Sequence, residues 1–300
     1  MQVIKTDVIG VVGQGFVGGA LRRGFEEVTD LIVETFDIAK PQLSTCNTVK
    51  ELFGKTDVIF VCVPTPMKKS GKCDTRIVES VLNEIHQYSI DNDSPKIAVV
   101  KSTIPPGSTA LWNDKFGRSK MRVVFNPEFL TEANADKDFL NQNRIVLGGP
   151  KESAKIVAKI FEKVAWAKRP KSTCEIVQTS STTAELTKYV TNCYLAMKVS
   201  FSNEIYQLAE ALGVDYNELM DTTTLDKRIS RKHTHVPGPD GNLGFGGHCF
   251  PKDLRGLIYA AKALDIEPLI LQSVWDKNES VRPVWSRDWE NMKGRAVSED

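Results

Sequence analysis

A short apolar run followed by a glycine-rich turn constrains the fold of this chain more than any other feature. Residues 7–12 have the composition of a buried parallel strand, residues 13–18 read G-x-G-x-x-G, and a helix-like stretch continues to Phe25. Glycines at this spacing allow a tight turn and let the backbone approach a pyrophosphate, which binds at the helix N-terminus. The order of strand, glycine turn and helix therefore predicts a dinucleotide-binding βαβ unit.

The end of the second predicted strand supplies an acidic residue. Asp37 follows the apolar residues 31–36 and lies about 20 residues past the glycines, where a carboxylate accepts hydrogen bonds from the adenosine ribose. A carboxylate there also repels a 2′-phosphate, although Lys40 close by moderates this preference. We therefore predict NAD as the cofactor, bound by Gly13, Gln14, Gly15, Phe16, Val17, Gly18, Asp37 and Lys40.

Further apolar runs end in polar loops, and they are residues 57–63, 97–100 and 121–125. Ligands of open α/β sheets bind at the carboxyl ends of the strands, which places Thr65, Ser102 and Thr103 toward the cofactor. Pro, Gly and Thr are also ordinary turn residues, so this placement has a structural alternative. Glu128 and Glu132 follow the last strand, and they could equally form the acidic first turn of a helix.

A long helix is predicted over residues 181–212, with Thr182 and Thr183 as caps and Gly213 as the stop. Its residues are mostly small or apolar, which indicates packing on several sides. Lys188 and Asn192 are four residues apart and therefore share a face. Two such donors could hold an oxyanion, or they could be a surface lysine beside a satisfied amide.

The second glycine-rich segment, residues 244–253, contains Cys249. Pro251 fits the first turn of a helix, whose positive dipole end would stabilise a nearby thiolate. Lys252 and Asp253 add a cation and a proton acceptor within one turn. The alternative is a glycine loop with a buried structural cysteine. Helices are predicted after this segment, at residues 254–264 and 268–278.

Composition limits the class of protein. The chain has 300 residues, which suggests two domains, and its net charge of +1 provides no basic field for nucleic acid. No apolar run is long enough for a membrane span, and the N-terminus lacks a signal-peptide pattern. Six scattered cysteines without a C-x-x-C pair or a His/Cys cluster predict no metal site and a reducing, cytoplasmic location.

The predicted fold class is α/β. Residues 1–179 would form a Rossmann-like, doubly wound parallel sheet that binds NAD. Residues 180–300 would form an all-helical domain that contains the cysteine loop.

These segments, in this order, resemble the UDP-glucose/GDP-mannose dehydrogenase family of nucleotide-sugar 6-dehydrogenases. Besides the two glycine-rich segments, the resemblance rests on Val63-Pro-Thr-Pro66, Lys101-Ser-Thr103, Asn126-Pro-Glu-Phe-Leu-Thr-Glu132, Asp138-Phe139, Arg144-Ile-Val146, Ala184-Glu-Leu-Thr-Lys188, Asn192, Asn203-Glu204 and Asp226-Lys-Arg228. The family has a Rossmann domain, a helical domain that dimerises through its long helix, and a C-terminal nucleotide-binding domain. The chain ends at Asp300, so the resemblance implies a short form that lacks the last domain.

The resemblance implies a mechanism. Cys249 would attack an aldehyde formed at C6 of the sugar, a second hydride transfer would give a thioester, and water would release the uronate. Lys188 and Asn192 would stabilise the oxyanion, and Asp253 would act as a base or orient water. Glu128 would work with Thr103 through a water as acid and base.

The resemblance also implies binding roles. Glu132 would lie near the nicotinamide, and Thr65 and Ser102 would complete the NAD site. The substrate contacts would be Phe129, Leu130, Arg228, Phe245, Gly246 and Lys252, with Arg228 reaching the substrate of a partner subunit. The implied partner is a nucleotide sugar, with UDP-glucose favoured, bound by a homodimer.

Two other functions remain open on the sequence. A β-hydroxy-acid dehydrogenase shares this plan and also uses a helix lysine, but it needs no thiol. A non-catalytic protein that binds NAD or a nucleotide sugar would fit a chain without the third domain.

Overall fold

The computed structural model describes residues 4–165, 174–294 and 296–298, with only the backbone described for Glu132. The chain divides into two compact units. The first comprises Met1–Thr65 and Thr75–Lys188, and the second comprises Pro66–Asp74 and Tyr189–Asp300. The domain boundary between residues 179 and 180 stays a prediction, because one helix that begins at Ser181 contributes to both units.

The first unit is built on one seven-stranded sheet. Its strands are β1 (Val8–Val12), β2 (Ile32–Phe36), β3 (Val58–Val61), β4 (Lys96–Val100), β5 (Met121–Phe125), β6 (Arg144–Gly148) and β7 (Glu175–Thr179). The order is β2-β1-β3-β4-β5-β6-β7, and every pair is parallel except β5 with β6. This sheet confirms the Rossmann-like α/β class and strands β1 to β5, whereas β6 and β7 were not predicted as strands.

Helices of the first unit connect these strands. They are α1 (Phe16–Val28), α2 (Val49–Lys55), α3 (Arg76–Asp91), α4 (Ser108–Lys115), α5 (Ala135–Leu140) and α6 (Lys151–Ala165). Successive strand residues point to opposite faces, so Phe60 packs with Phe25 and Phe161 in one core, while Ile59 lies in a second core with Phe53. Apolar cores on both faces explain why the strands read as continuous hydrophobic runs.

The second unit contains most of α7 (Ser181–Leu212), followed by α8 (Tyr216–Thr223), α9 (Cys249–Lys262) and α10 (Leu269–Val281). Trp289 packs against Trp275 in its core, with ring centroids 6.0 Å apart. The short segment 66–74 belongs here because the Met67 backbone N–H donates to Ala296 O and Met67 O accepts from Ser298 N–H, both at 2.8 Å. The C-terminal residues therefore help to build this unit.

Helix ends differ in part from the sequence predictions. The length of α7 and its stop at Gly213, which has φ +68°, are as predicted. The cap is Ser180 rather than Thr182 or Thr183, because Ser180 Oγ accepts from the Thr183 N–H at 3.1 Å. The predicted helices 254–264 and 268–278 begin at Cys249 and Leu269 instead. The cysteine is thus part of a helix.

The prediction that α7 packs on several sides is only partly correct. Ala184, Tyr189 and Ala196 are buried, but a row of large apolar residues on this helix is exposed in the single chain. These are Leu186, Val190, Tyr194, Phe201, Leu208 and Leu212. Across the described ranges, no helix combines the length and apolar character that a membrane crossing requires.

Candidate active site

Two glycines of the first loop lie directly against backbone oxygen atoms. Gly13 has φ +92°, and a Cβ there would lie 2.5 Å from Cys62 O. A Cβ on Gly18 would lie 1.9 Å from Gly13 O. A Cβ on Gly15, the residue that precedes α1, would have no neighbour within 4 Å among the described atoms. The loop therefore leaves open space where a phosphate would meet the first N–H groups of α1.

The side chains of Asp37 and Lys40, two of the predicted cofactor residues, hydrogen-bond to the backbone of this loop. Asp37 Oδ2 accepts from the Gln14 backbone N–H at 2.5 Å, and Oδ1 accepts from the Ala39 and Lys40 N–H groups at 2.8 and 2.9 Å. Lys40 Nζ donates to Gln14 O at 3.1 Å. Gln14 Oε1 is buried without a hydrogen-bond partner within the described part of the chain. A buried unpaired acceptor in this loop fits a site that a polar cofactor completes.

Sequence reasoning missed Ile38, whose side chain is 88% exposed beside Asp37. Of the other predicted cofactor residues, Thr65 is buried and Ser102 Oγ donates to Val63 O at 2.6 Å, which ties together the loops after β3 and β4. The side chain of Glu132 lies outside the described residues.

Glu128 and Lys188 form a buried ion pair in the first unit. Lys188 Nζ lies 2.8 Å from Glu128 Oε1, and the two side chains are 4% and 7% exposed. The other oxygen, Oε2, accepts from the Leu130 backbone N–H at 2.7 Å. Lys188 Nζ also lies 5.7 Å from the centre of the Phe129 ring, over which Arg144 stacks at 4.1 Å. The structure thus brings four predicted site residues together and excludes the surface-lysine alternative.

Behind this pair lies Lys101, a residue to which the sequence assigned no role. Lys101 is buried, and its Nζ donates to Asn126 Oδ1 at 2.7 Å. Asn126 Nδ2 in turn donates to Val146 O at 2.8 Å. Burial lowers the pKa of Lys101 to about 8, although the charges of Cys62 and Glu128 oppose this shift. Lys101 and Asn126 therefore anchor the start of the loop that carries Glu128. Thr103, two residues after Lys101, is also buried.

The second unit holds a separate buried polar cluster. Asp253 is 1% exposed and accepts from Asn192 Nδ2 at 2.6 Å and from Lys252 Nζ at 2.7 Å. Burial alone would lower the pKa of Lys252, but the charges of Asp253, Cys73 and Cys249 raise it above its ordinary value. Lys252 therefore stays protonated, and both oxygens of Asp253 are engaged.

Cys249 is the first residue of α9, preceded by His248 as N-cap and followed by Pro251 within the first turn, as predicted. The thiol is partly exposed, and the charge of Lys252 acts on it. All six cysteines lie in the described ranges, and none of them forms a disulfide. A partly exposed thiol at a helix N-terminus beside a cation is the environment of a reactive cysteine.

Other predicted substrate residues have different surroundings. Phe245 is buried in the core of the second unit, where its ring lies 6.0 Å from that of Phe250. Gly246 carries no side chain, and a Cβ there would lie 2.2 Å from Arg282 Nη2. Arg228 is 89% exposed and pairs with Asp226 at 2.6 Å. Among the residues that the structure describes, no cluster of three or more His, Cys, Asp or Glu side chains could hold a metal ion.

Two sequence models of one protein family match this chain. The sequence model described as "UDP-glucose/GDP-mannose dehydrogenase family, NAD binding domain" matches residues 33–165, and the model of that family's central domain matches residues 182–280. The match to the first of these confirms NAD as the predicted cofactor.

Individual relatives differ in their substrates. The putative UDP-glucose 6-dehydrogenase YtcA of Bacillus subtilis (strain 168) is 32% identical, over 90% of this chain and 67% of the relative. A GDP-mannose 6-dehydrogenase of Pseudomonas savastanoi pv. phaseolicola is 35% identical, over 81% of this chain and 55% of the relative.

A solved structure resembles this chain over most of its length. The UDP-glucose dehydrogenase from the hyperthermophilic archaeon Pyrobaculum islandicum superimposes with a TM-score of 0.80 at 30% identity, and the match covers 91% of this chain and 68% of that one. The chain spans about half to two thirds of the length of the curated relatives it matches. Because both family models match and these relatives are similar over most of the chain, the chain belongs to the UDP-glucose/GDP-mannose dehydrogenase family.

Proposed function

We propose that this chain is an NAD-dependent nucleotide-sugar 6-dehydrogenase that oxidises the C6 alcohol of its substrate to a carboxylate, with UDP-glucose the favoured substrate. The observation that carries the proposal is Cys249 at the N-terminus of α9, two residues after a glycine pair and beside the buried Lys252–Asp253 pair. A four-electron oxidation that releases no aldehyde requires a covalent nucleophile, and a simple alcohol dehydrogenase has no use for one.

NAD would bind at the first glycine loop, with its pyrophosphate beside Gly15 and the N-terminus of α1. Asp37 would accept from the adenosine ribose, and the exposed Ile38 side chain offers an apolar surface for the adenine. When bound there, the cofactor supplies the hydride acceptor.

Cys249 would react as the thiolate, stabilised by the N–H groups that begin α9 and by the charge of Lys252. Its sulfur would add to the carbonyl carbon of the C6 aldehyde and form a thiohemiacetal. Oxidation of that adduct gives a thioester, and attack by water on the thioester frees the uronate and restores the thiol. The aldehyde thus stays covalently held between the two oxidations.

Lys188 and Asn192 would donate hydrogen bonds to the oxyanions of these steps, since they lie one turn apart on α7. Glu128 would exchange a proton with the reacting oxygen through a water held with Thr103. The ion pair would couple the charge of the Glu128 carboxylate to that of the Lys188 ammonium group. The engagement of both Asp253 oxygens favours a role in orienting Asn192 over a role as a free base.

A homodimer formed through α7 is part of the proposal. The exposed apolar row on this helix, from Leu186 to Leu212, would be buried by a second copy. Arg228 is exposed and could reach the substrate of that copy. A net charge of +1 and six cysteines without a disulfide support a cytoplasmic protein that binds neither nucleic acid nor membranes.

A panel of nucleotide sugars tests the proposal. UDP-glucose, GDP-mannose and UDP-N-acetyl sugars would each be incubated with NAD, and NADH and uronate would be measured per mole of sugar. We expect two NADH per sugar with one substrate, most strongly UDP-glucose, and no uronate from Cys249→Ala. One NADH per sugar would instead indicate a simple hydroxyl dehydrogenase. Thermal stabilisation by the ligands without NADH would indicate the non-catalytic binding protein.

A further inference from the structure

The backbone of the second glycine loop is held by side chains from three distant elements. Asn203 of α7 accepts from the Gly244 N–H at 3.0 Å. Asn278 of α10 accepts from the Phe245 N–H at 2.7 Å and donates to Phe245 O at 3.1 Å. Further along the loop, both oxygens of Asp288 accept from the Gly247 N–H, at 3.0 and 3.1 Å. These contacts hold residues 244, 245 and 247 of the loop, and the last of them lies two positions before Cys249.

Close packing adds to these hydrogen bonds in the first part of the loop. A Cβ on Gly244 would lie 2.4 Å from Asn278 Oδ1, and a Cβ on Gly246 would lie 2.2 Å from Arg282 Nη2. Gly247 differs, because a Cβ there would meet no described atom within 4 Å. Packing therefore does not hold Gly247, and the hydrogen bonds to Asp288 fix its position.

Asp288 itself is rigidly placed. Arg282 is buried and donates to Ser286 O through Nε and Nη2, at 3.1 and 2.9 Å, which ties the turn before Asp288 to the end of α10. Trp289, the next residue, is buried against Trp275. The match to the family's central domain ends at residue 280, so the segment that carries Asp288 lies beyond it.

We propose that Asp288 is a positioning residue for Cys249. Gly247 has φ +70°, a left-handed conformation that sets the direction in which the chain enters α9. By holding the Gly247 N–H, the Asp288 carboxylate fixes that entry and so the orientation of the Cys249 sulfur toward the first N–H groups of the helix. The inference rests on the proposed role of Cys249 as the nucleophile.

Two substitutions that remove the same charge provide the test. Asp288→Asn keeps an oxygen that can accept from the Gly247 N–H, whereas Asp288→Ala leaves no acceptor. Lys252, whose charge acts on Cys249, is unchanged in both variants. Glu290→Ala is the matched control, because Glu290 lies on the same turn, is exposed and pairs with Arg287.

The readout is the alkylation rate of Cys249 by iodoacetamide, followed by peptide mass spectrometry, without substrate or cofactor. Dividing the rate at pH 7 by the rate at high pH removes differences in accessibility and reports the thiolate fraction. We expect this ratio to be about fivefold lower in Asp288→Ala than in Asp288→Asn, since helix-terminus effects are of that size. Glu290→Ala should match the wild type.

Equal ratios in the Asn and Ala variants would overturn the proposal, whatever the outcome of the nucleotide-sugar panel. Should Asp288→Ala not fold, hydrogen exchange in the wild-type chain decides the question without a variant. A Gly247 amide that exchanges slowly agrees with the proposal, and one that exchanges as fast as an open loop contradicts it.

Discussion

The two glycine-rich loops of this chain both lead into the N-terminus of a helix, but different forces hold them. The loop before α1 is shaped by its own backbone and by a neighbouring strand end, since Gly18 packs on Gly13 O and Gly13 packs on Cys62 O. The loop before α9 is shaped by side chains that lie 33 or more positions away in the sequence, from Asn203, Asn278 and Asp288. Each loop has one carboxylate that accepts a backbone N–H, Asp37 in the first and Asp288 in the second.

This difference agrees with the role proposed for each loop and affects how each can be recognised in a sequence. The first loop combines glycines at fixed spacing with one brace from Asp37 to the Gln14 N–H, and the start of its helix can bind phosphate. A loop held by distant side chains can place one reactive atom, Cys249 Sγ, in a fixed orientation. The first arrangement suits a shared cofactor, and the second suits a nucleophile.

Substitution of Gly18 should produce the largest effect and would break the first loop. A Cβ at Gly18 would lie 1.9 Å from a backbone oxygen, which cannot move without displacing the turn. We expect Gly18→Ala to weaken NAD binding about a hundredfold and to lower the free energy of unfolding by about 1–3 kcal/mol. Quenching of the protein's fluorescence during titration with NAD would measure the first effect, and urea unfolding would measure the second.

Gly15→Ala is the control for that change. The new Cβ meets no atom of the described residues within 4 Å, so the free energy of unfolding should stay within about 0.5 kcal/mol of the wild type. NAD binding should still weaken, because the Cβ occupies the phosphate side. If Gly15→Ala binds NAD normally, the pyrophosphate does not lie beside Gly15 and the placement of the cofactor is wrong.

Substitution of Gly246 should have a smaller effect and sharpens the comparison. Its Cβ would lie 2.2 Å from the Arg282 guanidinium, a side-chain group that can move only by giving up its bonds to Ser286 O. We expect Gly246→Ala to lower kcat about tenfold, since misplacing a reacting group is costly. The affinity for NAD, measured in the same preparation, should not change. An unchanged kcat would show that the second loop tolerates displacement.

Much of the first unit could be predicted from the sequence because its signals are local. Apolar runs gave β1 to β5, and the glycine spacing located the loop and Asp37. Strand β7 was missed because each of its residues, from Glu175 to Thr179, is at least partly exposed. Strand β6 was missed because its apolar run is only three residues long, from Ile145 to Leu147, and lies between Arg144 and Gly148.

The candidate site was predicted in its residue types but not in its pairing. Lys188, Asn192 and Asp253 were selected as candidate site residues from one helix and one motif, yet the sequence could not show that Lys188 pairs with Glu128 while Asn192 pairs with Asp253. Lys101, Asn278 and Asp288 were missed, because their partners lie 25 or more residues away and no local pattern marks them.

Covalent capture on Cys249 is the central claim, and one measurement tests it directly. The wild-type chain and Cys249→Ala would be mixed with NAD and UDP-glucose, quenched rapidly, and mapped by peptide mass spectrometry. We predict a nucleotide-sugar acyl adduct on the peptide that contains Cys249, formed only when NAD is present and absent from Cys249→Ala. Formation of uronate by Cys249→Ala, or an adduct on another thiol, would contradict the account.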